Sequence, residues 1–340
     1  SFVQATVRAW PALDSKEGGG VIIDSLLIAG HALRRSGFGA HLVYVLGGSF
    51  GDDSGEELST VDVYDPRTDA WKQVASMPAT RYAHAGVALN GKIYTFGGHG
   101  LNTLADSTVD VYDPQYDSWH LLPDMANGHA AFAAATAGGK IYAIGGSNED
   151  NESMKLAEVF DPLLGAWAAV ASMSVSRRCY AVATVDGKIY AIGGINSSNK
   201  TLDSVEAYAP QTDSWQQVAS MPQGRNSHAA AAMGGKIYVS GGWVEHEGIT
   251  SAVFVFNPQA NTWTEVASMG TARQDHSSAA IGGKLYVFGG NSVPASVEAY
   301  DPTSDNCRTA SVEAYDPTSN TWAQVSDLPG HRDELAAVAL

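Results

Sequence analysis

Residues 188–222 read KIYAIGGINSSNKTLDSVEAYAPQTDSWQQVASMP. The stretch holds a Gly-Gly pair at Gly193-Gly194, a tyrosine at Tyr208, a tryptophan at Trp215 and a closing Met221-Pro222. Its apolar runs are short, rich in β-branched and aromatic residues and set apart by turn residues, which is the pattern of strands. Just upstream, Asp186-Gly187 suits a two-residue type I′ hairpin, in which both residues take positive φ.

The same pattern extends in both directions. Gly-Gly pairs stand at Gly47-Gly48, Gly97-Gly98, Gly145-Gly146, Gly193-Gly194, Gly241-Gly242 and Gly289-Gly290, spaced 50, 48, 48, 48 and 48 residues apart. Tryptophans keep the beat at Trp71, Trp119, Trp167, Trp215 and Trp263. A fixed period near 48 means one supersecondary unit repeated along the chain. Each unit reads as four strands. A small apolar first strand (84–89) leads through a hairpin dipeptide (Asn90-Gly91, Gly138-Gly139, Asp186-Gly187, Gly234-Gly235 or Gly282-Gly283) to a second strand ending in the Gly pair. A variable loop, a third strand, an Asp-Pro turn such as Asp113-Pro114 and a fourth strand opening at the tryptophan complete it. Four antiparallel strands per unit without helical periodicity predict an all-β propeller.

The Gly-Gly pair, the tyrosine fourteen residues on and the tryptophan seven beyond it carry a resemblance to the kelch-repeat family over residues 41–340. The resemblance implies a six-bladed β-propeller of four-stranded antiparallel blades. The tail from Leu328 to Ala337 matches the interblade segment from Met221 to Ala230, so it reads as a first strand with no blade after it. The first blade, from Leu42, lacks such a strand, and the C-terminal strand is expected to complete it. A rival for that place is Leu26 to Ala32. Residues 1–40 do not match the repeat and read as an N-terminal extension. Ala295–Ser304 and Ala310–Ser319 are the same ten residues, with Cys307 standing in the first copy where the second has Trp322, so 295–319 carries an extra tandem segment.

Composition bounds the function. The chain has 340 residues, 44% of them hydrophobic, a net charge of -16 and two cysteines. The charge argues against nucleic acid and anionic membrane surfaces, which need a basic footprint. Two cysteines exclude a disulfide-built scaffold and fit a cytoplasmic location. No apolar run is long enough to span a membrane as a helix. Sequons at Asn151, Asn196 and Asn199 bear on the chain only if it is secreted.

In propellers of this family the first strands line the central channel, so the residues after each Met-Pro are expected at its mouth. That register holds Arg81, His129, Arg177, Arg225, Arg273 and Arg332. The next position holds Tyr82, Arg178, Asn226, Gln274 and Asp333, and three residues on come His84, Phe132, Tyr180, His228, His276 and Leu335. The post-Gly-Gly loops around this ring carry Asp52, Asp53, Glu56, Glu57, Asp106, Glu149, Asp150, Glu152, Asp203, Glu245 and Glu247, and Trp243 offers an aromatic contact. Guanidinium forks suit carboxylates, so the ring reads as a site for an acidic peptide or a small carboxylate. The same repetition also fits arginines that serve the stack, paired between blades.

The remaining motifs are weaker. Gly47-Gly48-Ser49-Phe50-Gly51 fits G-x-S-x-G but lies in a propeller loop, where the strand-to-helix elbow is missing. Cys179 follows two arginines yet occupies a register otherwise filled by Ala83, Ala131 and Ser227, so it reads as packing. No His/Cys/Asp/Glu cluster has metal-ligand spacing, and no cofactor is expected. The first functional reading is a protein-recognition module like the kelch-like adaptors of ubiquitin ligases, a likeness that reaches Arg81, Arg177, Arg225 and Arg273. The alternative is a small-molecule enzyme resembling the sialic-acid mutarotase or the plant specifier proteins. It would use Arg225 with His228, or Arg273 with His276, as anion clamp and acid/base pair.

Overall fold

The computed structural model describes residues 42–49, 57–99, 104–292 and 312–329, with the short strands Ala5–Thr6, Leu27–Ile28 and Ala336–Ala339. Six four-stranded antiparallel blades follow one another. Blade 2 is the simplest: Ala85–Leu89, Lys92–Phe96, Val109–Asp113 and Ser118–Leu122, from the inside outward. Blades 3, 4 and 5 repeat this order from Ala133, Ala181 and Ala229, and blade 6 uses Ser277–Ile281, Lys284–Phe288, Val312–Asp316 and Thr321–Val325. No helix occurs among the described residues. The hairpin dipeptides take the expected left-handed conformation, with φ of 52° and 78° at Asn90-Gly91 and 49° and 74° at Asp186-Gly187.

The ring closes as the sequence implied. Ala336–Ala339 pairs antiparallel with Val43–Leu46 and becomes the inner strand of blade 1, ahead of Val61–Asp65 and Ala70–Val74. The rival segment does not take this place. Its Leu27–Ile28 lies parallel to Ala337–Val338, on the far side of the C-terminal strand. Ala5–Thr6 likewise adds to the inner edge of blade 5, opposite Ala230 and Ala231. The second copy of the duplicated decapeptide supplies the third strand of blade 6, while the first copy lies outside the described residues.

A latch repeated around the ring holds each blade to the one before it. In blade 2 the Tyr112 hydroxyl donates to Asp117 Oδ1 at 2.7 Å, and the same oxygen accepts the Ala75 N–H of blade 1 at 2.8 Å. Trp119 Nε1–H then donates to the Ala75 carbonyl at 2.9 Å, so Ala75 is held at both its backbone groups. Asp213 and Asn320 do the same for Ala171 and Ala267, and Asn261 caps Ala219 without the hydroxyl, because Phe256 stands in the tyrosine's place. Asp69 and Trp71 take Ser326 of blade 6, which seals the ring. The carboxylate or amide sits at φ near 50°, a left-handed place that Asp, Asn and Gly tolerate best. Blade 3 omits the latch in a self-consistent way. The residue to be capped is Pro123, which has no N–H, the capping position is Gly165, and the tyrosine is Phe160. Only the Trp167 bond to the Pro123 carbonyl, at 3.0 Å, remains there.

Candidate functional site

The face that carries the post-Gly-Gly loops also carries the starts of the first strands. There the ring residues turn away from the channel mouth and into the blades. Arg81 is 2% exposed, and His129, Arg177, Arg225 and Arg273 have no exposed surface. Each donates to the carbonyl of its own blade's first paired glycine, sixteen residues on. The bonds run to Gly97 at 2.9 Å, Gly193 at 2.8 Å, Gly241 at 2.9 Å and Gly289 at 2.7 Å. His129 makes the same contact through Nδ1, 2.8 Å from the Gly145 oxygen. A glycine is required on the other side as well. A Cβ on Gly97 would lie 2.6 Å from the His129 carbonyl of the next blade, and one on Gly193 2.7 Å from that of Arg225.

The third strands supply the counter-charges. Arg81 pairs with Asp110 at 2.8 Å and Asp106 at 3.2 Å, Arg177 with Glu206 at 2.8 Å and Arg273 with Glu313 at 2.6 Å. Glu158 stands 3.8 Å from His129 Nε2. Burial pushes the Glu206 carboxyl up, but hydrogen bonds from Ser174 and Arg177 outweigh it and hold the group below its usual range. Glu158 follows the same balance, with Asn127 and the Ala126 N–H as donors and His129 nearby. Blade 5 breaks the pattern. Phe254 occupies the acid's place, its ring centroid 4.7 Å from the Arg225 guanidinium carbon, and burial pulls the Arg225 pKa down to about 10.

These placements set the expected ring inside the blades. The four described arginines and His129 are enclosed and bonded to carbonyls, and Arg81, Arg177 and Arg273 also to carboxylates. Arg332 lies outside the described residues, as do Asp333 and Leu335. The histidines of the suggested acid/base pairs are enclosed as well. His228 and His276 are buried with Arg225 and Arg273, packed beneath Gly193 and Gly241 of the preceding blades. His276 Nε2 lies 3.0 Å from Ser240 Oγ, and burial with the nearby Arg273 charge drives its pKa well down. His84 is buried alike and depressed to about 3, and Tyr180 donates its hydroxyl to the Ile144 carbonyl at 2.6 Å.

The position after each ring residue lies nearer the loops but is also enclosed: Arg178, Asn226 and Gln274 are buried and Tyr82 is half-buried. Tyr82, Arg178, Asn226 and Gln274 form β-bridges to His99, Ile195, Trp243 and Asn291, the residues that follow the Gly pairs. The Tyr82 ring sits against His99 with centroids 4.7 Å apart. Arg178 donates to Asn199 Oδ1 at 2.6 Å and Ser153 Oγ at 3.0 Å. It lines a cavity of about 380 Å³ between the loops of blades 3 and 4, with Asp150, Asn151, Glu152, Ser153, Ser197 and Asn199. A second cavity, of about 290 Å³, lies between the loops of blades 4 and 5 and is walled by Lys200, Asp203, Gln223, Glu245 and Glu247. Trp243 is half-buried in a short hairpin, Trp243–Val244 with Gly248–Ile249, which Glu247 ties to Gln223 at 2.8 Å.

The lesser motifs are placed too. Ser49 is buried and bridged to Glu57, and the Cys179 side chain is buried, in a ring of left-handed residues with Ala83, Ala131, Ser227 and Asp275. Asn199 is exposed and Asn151 and Asn196 half-buried. Among the described residues no group of three or more His, Cys, Asp or Glu is placed to hold a metal, and no helix is long and apolar enough to cross a membrane. The partners of the ring, Asp110, Glu158, Glu206 and Glu313, were missed by sequence reasoning. Their signal was an acid recurring as the second residue of the third strand.

The comparisons with known proteins agree with this architecture. The family described as the KLHDC2/KLHL20/DRC7 Kelch-repeats domain matches residues 128–339, and the Kelch motif matches 34–78 and 80–126. An F-box/kelch-repeat protein of Arabidopsis thaliana is 42% identical over 65 residues, which are 19% of this chain and 17% of that protein. Kelch-like protein 36 of Bos taurus is 45% identical over 42 residues, 12% of this chain and 7% of its own length. The alignments thus span less than a fifth of either relative. The solved structure of YjhT superposes with a TM-score of 0.66 at 17% identity, covering 84% of this chain and 94% of that one, a likeness of fold. With more than half of its residues matched by one domain family, and with six closed blades of the repeat, the chain belongs to the kelch-repeat family.

Proposed function

We propose that this chain is a protein-recognition module that receives its partner on the loop face. The observation that carries the reading is the division of labour after each Met-Pro. One residue is locked into the blade, and its neighbour, different in every repeat, is bridged to the loop residue that follows the Gly pair. Tyr82, Arg178, Asn226 and Gln274 are thereby held on a rigid frame beside variable loops, an arrangement suited to recognition. The acidic-peptide reading narrows to Arg178, the arginine of this set that lines a surface cavity. A partner carboxylate would meet its guanidinium there, and a basic residue beside that carboxylate would meet Asp150 and Glu152.

Two baits test this, the native chain and an Arg178→Ala, Trp243→Ala double variant checked for unchanged melting. A protein captured from source lysate by the native bait and released by the variant supports the reading. Equal retention by both baits, or none by either, overturns it.

A further inference from the structure

The first strand of each blade is paired on one side with the second strand, and its other edge faces the central channel. In blades 2, 3, 4 and 6 that edge ends the sheet among the described residues, so a row of backbone N–H and C=O groups is turned inward. In the other two blades the edge is taken by the chain itself. Ala5–Thr6 pairs antiparallel with blade 5, Ala5 opposite Ala231 and Thr6 opposite Ala230. Leu27–Ile28 pairs parallel with the C-terminal strand of blade 1, opposite Ala337 and Val338. Ala5–Thr6 also lies beside the first strands of blades 4, 6 and 1, and Leu27–Ile28 beside those of blades 2, 3 and 6. Together the two short strands neighbour the inner strand of every blade, and they neighbour each other. The walls leave room for them, because the inner strands are built of small residues: Ala229-Ala230-Ala231-Ala232 in blade 5, Ala133-Ala134-Ala135-Thr136 in blade 3 and Ser277-Ser278-Ala279-Ala280 in blade 6.

We propose that the central channel is a strand-binding site filled in cis, its occupant the segment of this chain that precedes blade 1. Backbone pairing supplies the adhesion and satisfies edge groups that a narrow channel hydrates poorly. The two strands run in opposite senses along the channel. Each first strand starts on the loop face and ends at its hairpin, so Ala5–Thr6 runs towards the loop face and Leu27–Ile28 away from it. Ile28 thus heads for the hairpin end, where Val43–Leu46 begins with Val43 opposite Ala339. A cavity of about 400 Å³ lies at that end among the hairpins of blades 3, 4 and 5, walled by Thr136, Thr184, Asp186, Ala232 and Met233, and Ala5 stands next to it, opposite Ala231. The sequence suits the role. Val21-Ile22-Ile23 and Leu26-Leu27-Ile28 are aliphatic runs of strand type. Residues 1–40 carry four basic and three acidic side chains in a chain of net charge -16, so the occupant brings no net negative charge into an enclosed site. A channel so filled takes no further guest, which leaves the loop face as the surface open to a partner.

Paired cysteines in the full chain test this, in a background of Cys179→Ser and Cys307→Ser. Facing residues of neighbouring strands have Cα atoms about 4.5–5.5 Å apart, within the reach of a disulfide. One variant combines Thr6→Cys with Ala230→Cys, and a second combines Leu27→Cys with Ala337→Cys. Under mild oxidation each is expected to close within one chain, at least about tenfold more completely than Thr6→Cys with Gln216→Cys, whose second site lies on the exposed outer strand of blade 4. Peptide mapping by mass spectrometry reads the bridges, and melting of the reduced variants checks their folding. The oxidised forms are expected to melt no lower than the reduced ones, because the bridge joins partners already in place. The two pairs sit on different blades, so a variant that fails to fold leaves the other to decide. Closure no better than the control at a folded pair, bridges found only between two chains, or an oxidised form that melts lower each overturn the proposal.

Discussion

The guanidinium of Arg225 lies 4.7 Å over the ring of Phe254, at the point where the preceding blade sets Glu206 2.8 Å from Arg177. Two solutions to one burial problem therefore sit side by side. In one the buried cation has an anion; in the other it has an aromatic face, two carbonyls and Gln223. Burial is the chief cause of the fall in the Arg225 pKa, opposed only by the charges of Glu265 and Glu247.

Neutral replacement separates the two. Arg177→Met strands the buried Glu206 charge and is expected to cost about 3–5 kcal/mol, the usual penalty for breaking a buried pair from one side. Arg225→Met strands no charge and keeps the packing against Phe254, so its cost is expected at about 1 kcal/mol, from the lost carbonyl bonds. Urea unfolding of both variants measures the difference, and equal costs would refute the assignment of roles.

The buried histidines predict a pH dependence. His84 is held to about 3 and His99 to about 4, chiefly by burial, and His276 is also depressed. Below the ordinary value of 6.5 the unfolded chain takes up protons at these side chains that the folded chain does not. Stability is therefore expected to fall as pH drops from about 6.5 towards 4, by roughly 1 kcal/mol per pH unit for each such histidine. Loss of the depressed Glu206 and Glu158 carboxylates adds to it below their unfolded range. His84→Phe, the residue blade 3 uses at this register as Phe132, is expected to flatten the slope in urea titrations at several pH values.

Asp69 ties blade 1 to blade 6 by accepting from Tyr64, from the Ser326 N–H and, through its own carbonyl, from the Ser326 hydroxyl. Asp69→Ala is expected to lower the melting temperature by about 2–4 °C. Gly165→Asp in blade 3 should bring no gain, because Pro123 has no N–H to offer. The double variant Pro123→Ala, Gly165→Asp should then melt above Pro123→Ala alone. Differential scanning calorimetry on the set decides it.

Closure makes a further prediction. Val338 pairs with Tyr44 in the strand that completes blade 1. A proline there removes a ladder donor and clashes with its neighbours, so Val338→Pro is expected to cost about 3 kcal/mol or more and to broaden the unfolding transition.

The period, the hairpin dipeptides and the tail that repeats the interblade segment were all legible in the sequence, because each is a local signal that recurs. The site was less legible. Arg81, Arg177, Arg225 and Arg273 share one register, and register alone does not tell whether a side chain at a strand start faces the channel or its own blade. That direction is decided by a glycine carbonyl sixteen residues on and by an acid on the third strand. The exchange of Glu206 for Phe254, and the joint change at Phe160, Gly165 and Pro123, were visible as departures within the repeat. They became readable only once the blades stood next to one another.

The pairing of Ala336–Ala339 with Val43–Leu46 also sets the order in which the protein can be made. Blade 1 stays three strands wide until Ala336–Ala339, which follows all the other blades in the sequence, has been made and docks beside Val43–Leu46. Blades 2 to 6 each take their four strands from one stretch of chain and can mature before it. A cut between Val325 and Ala336 would thus leave unfinished a blade whose other three strands lie at the opposite end of the repeat array.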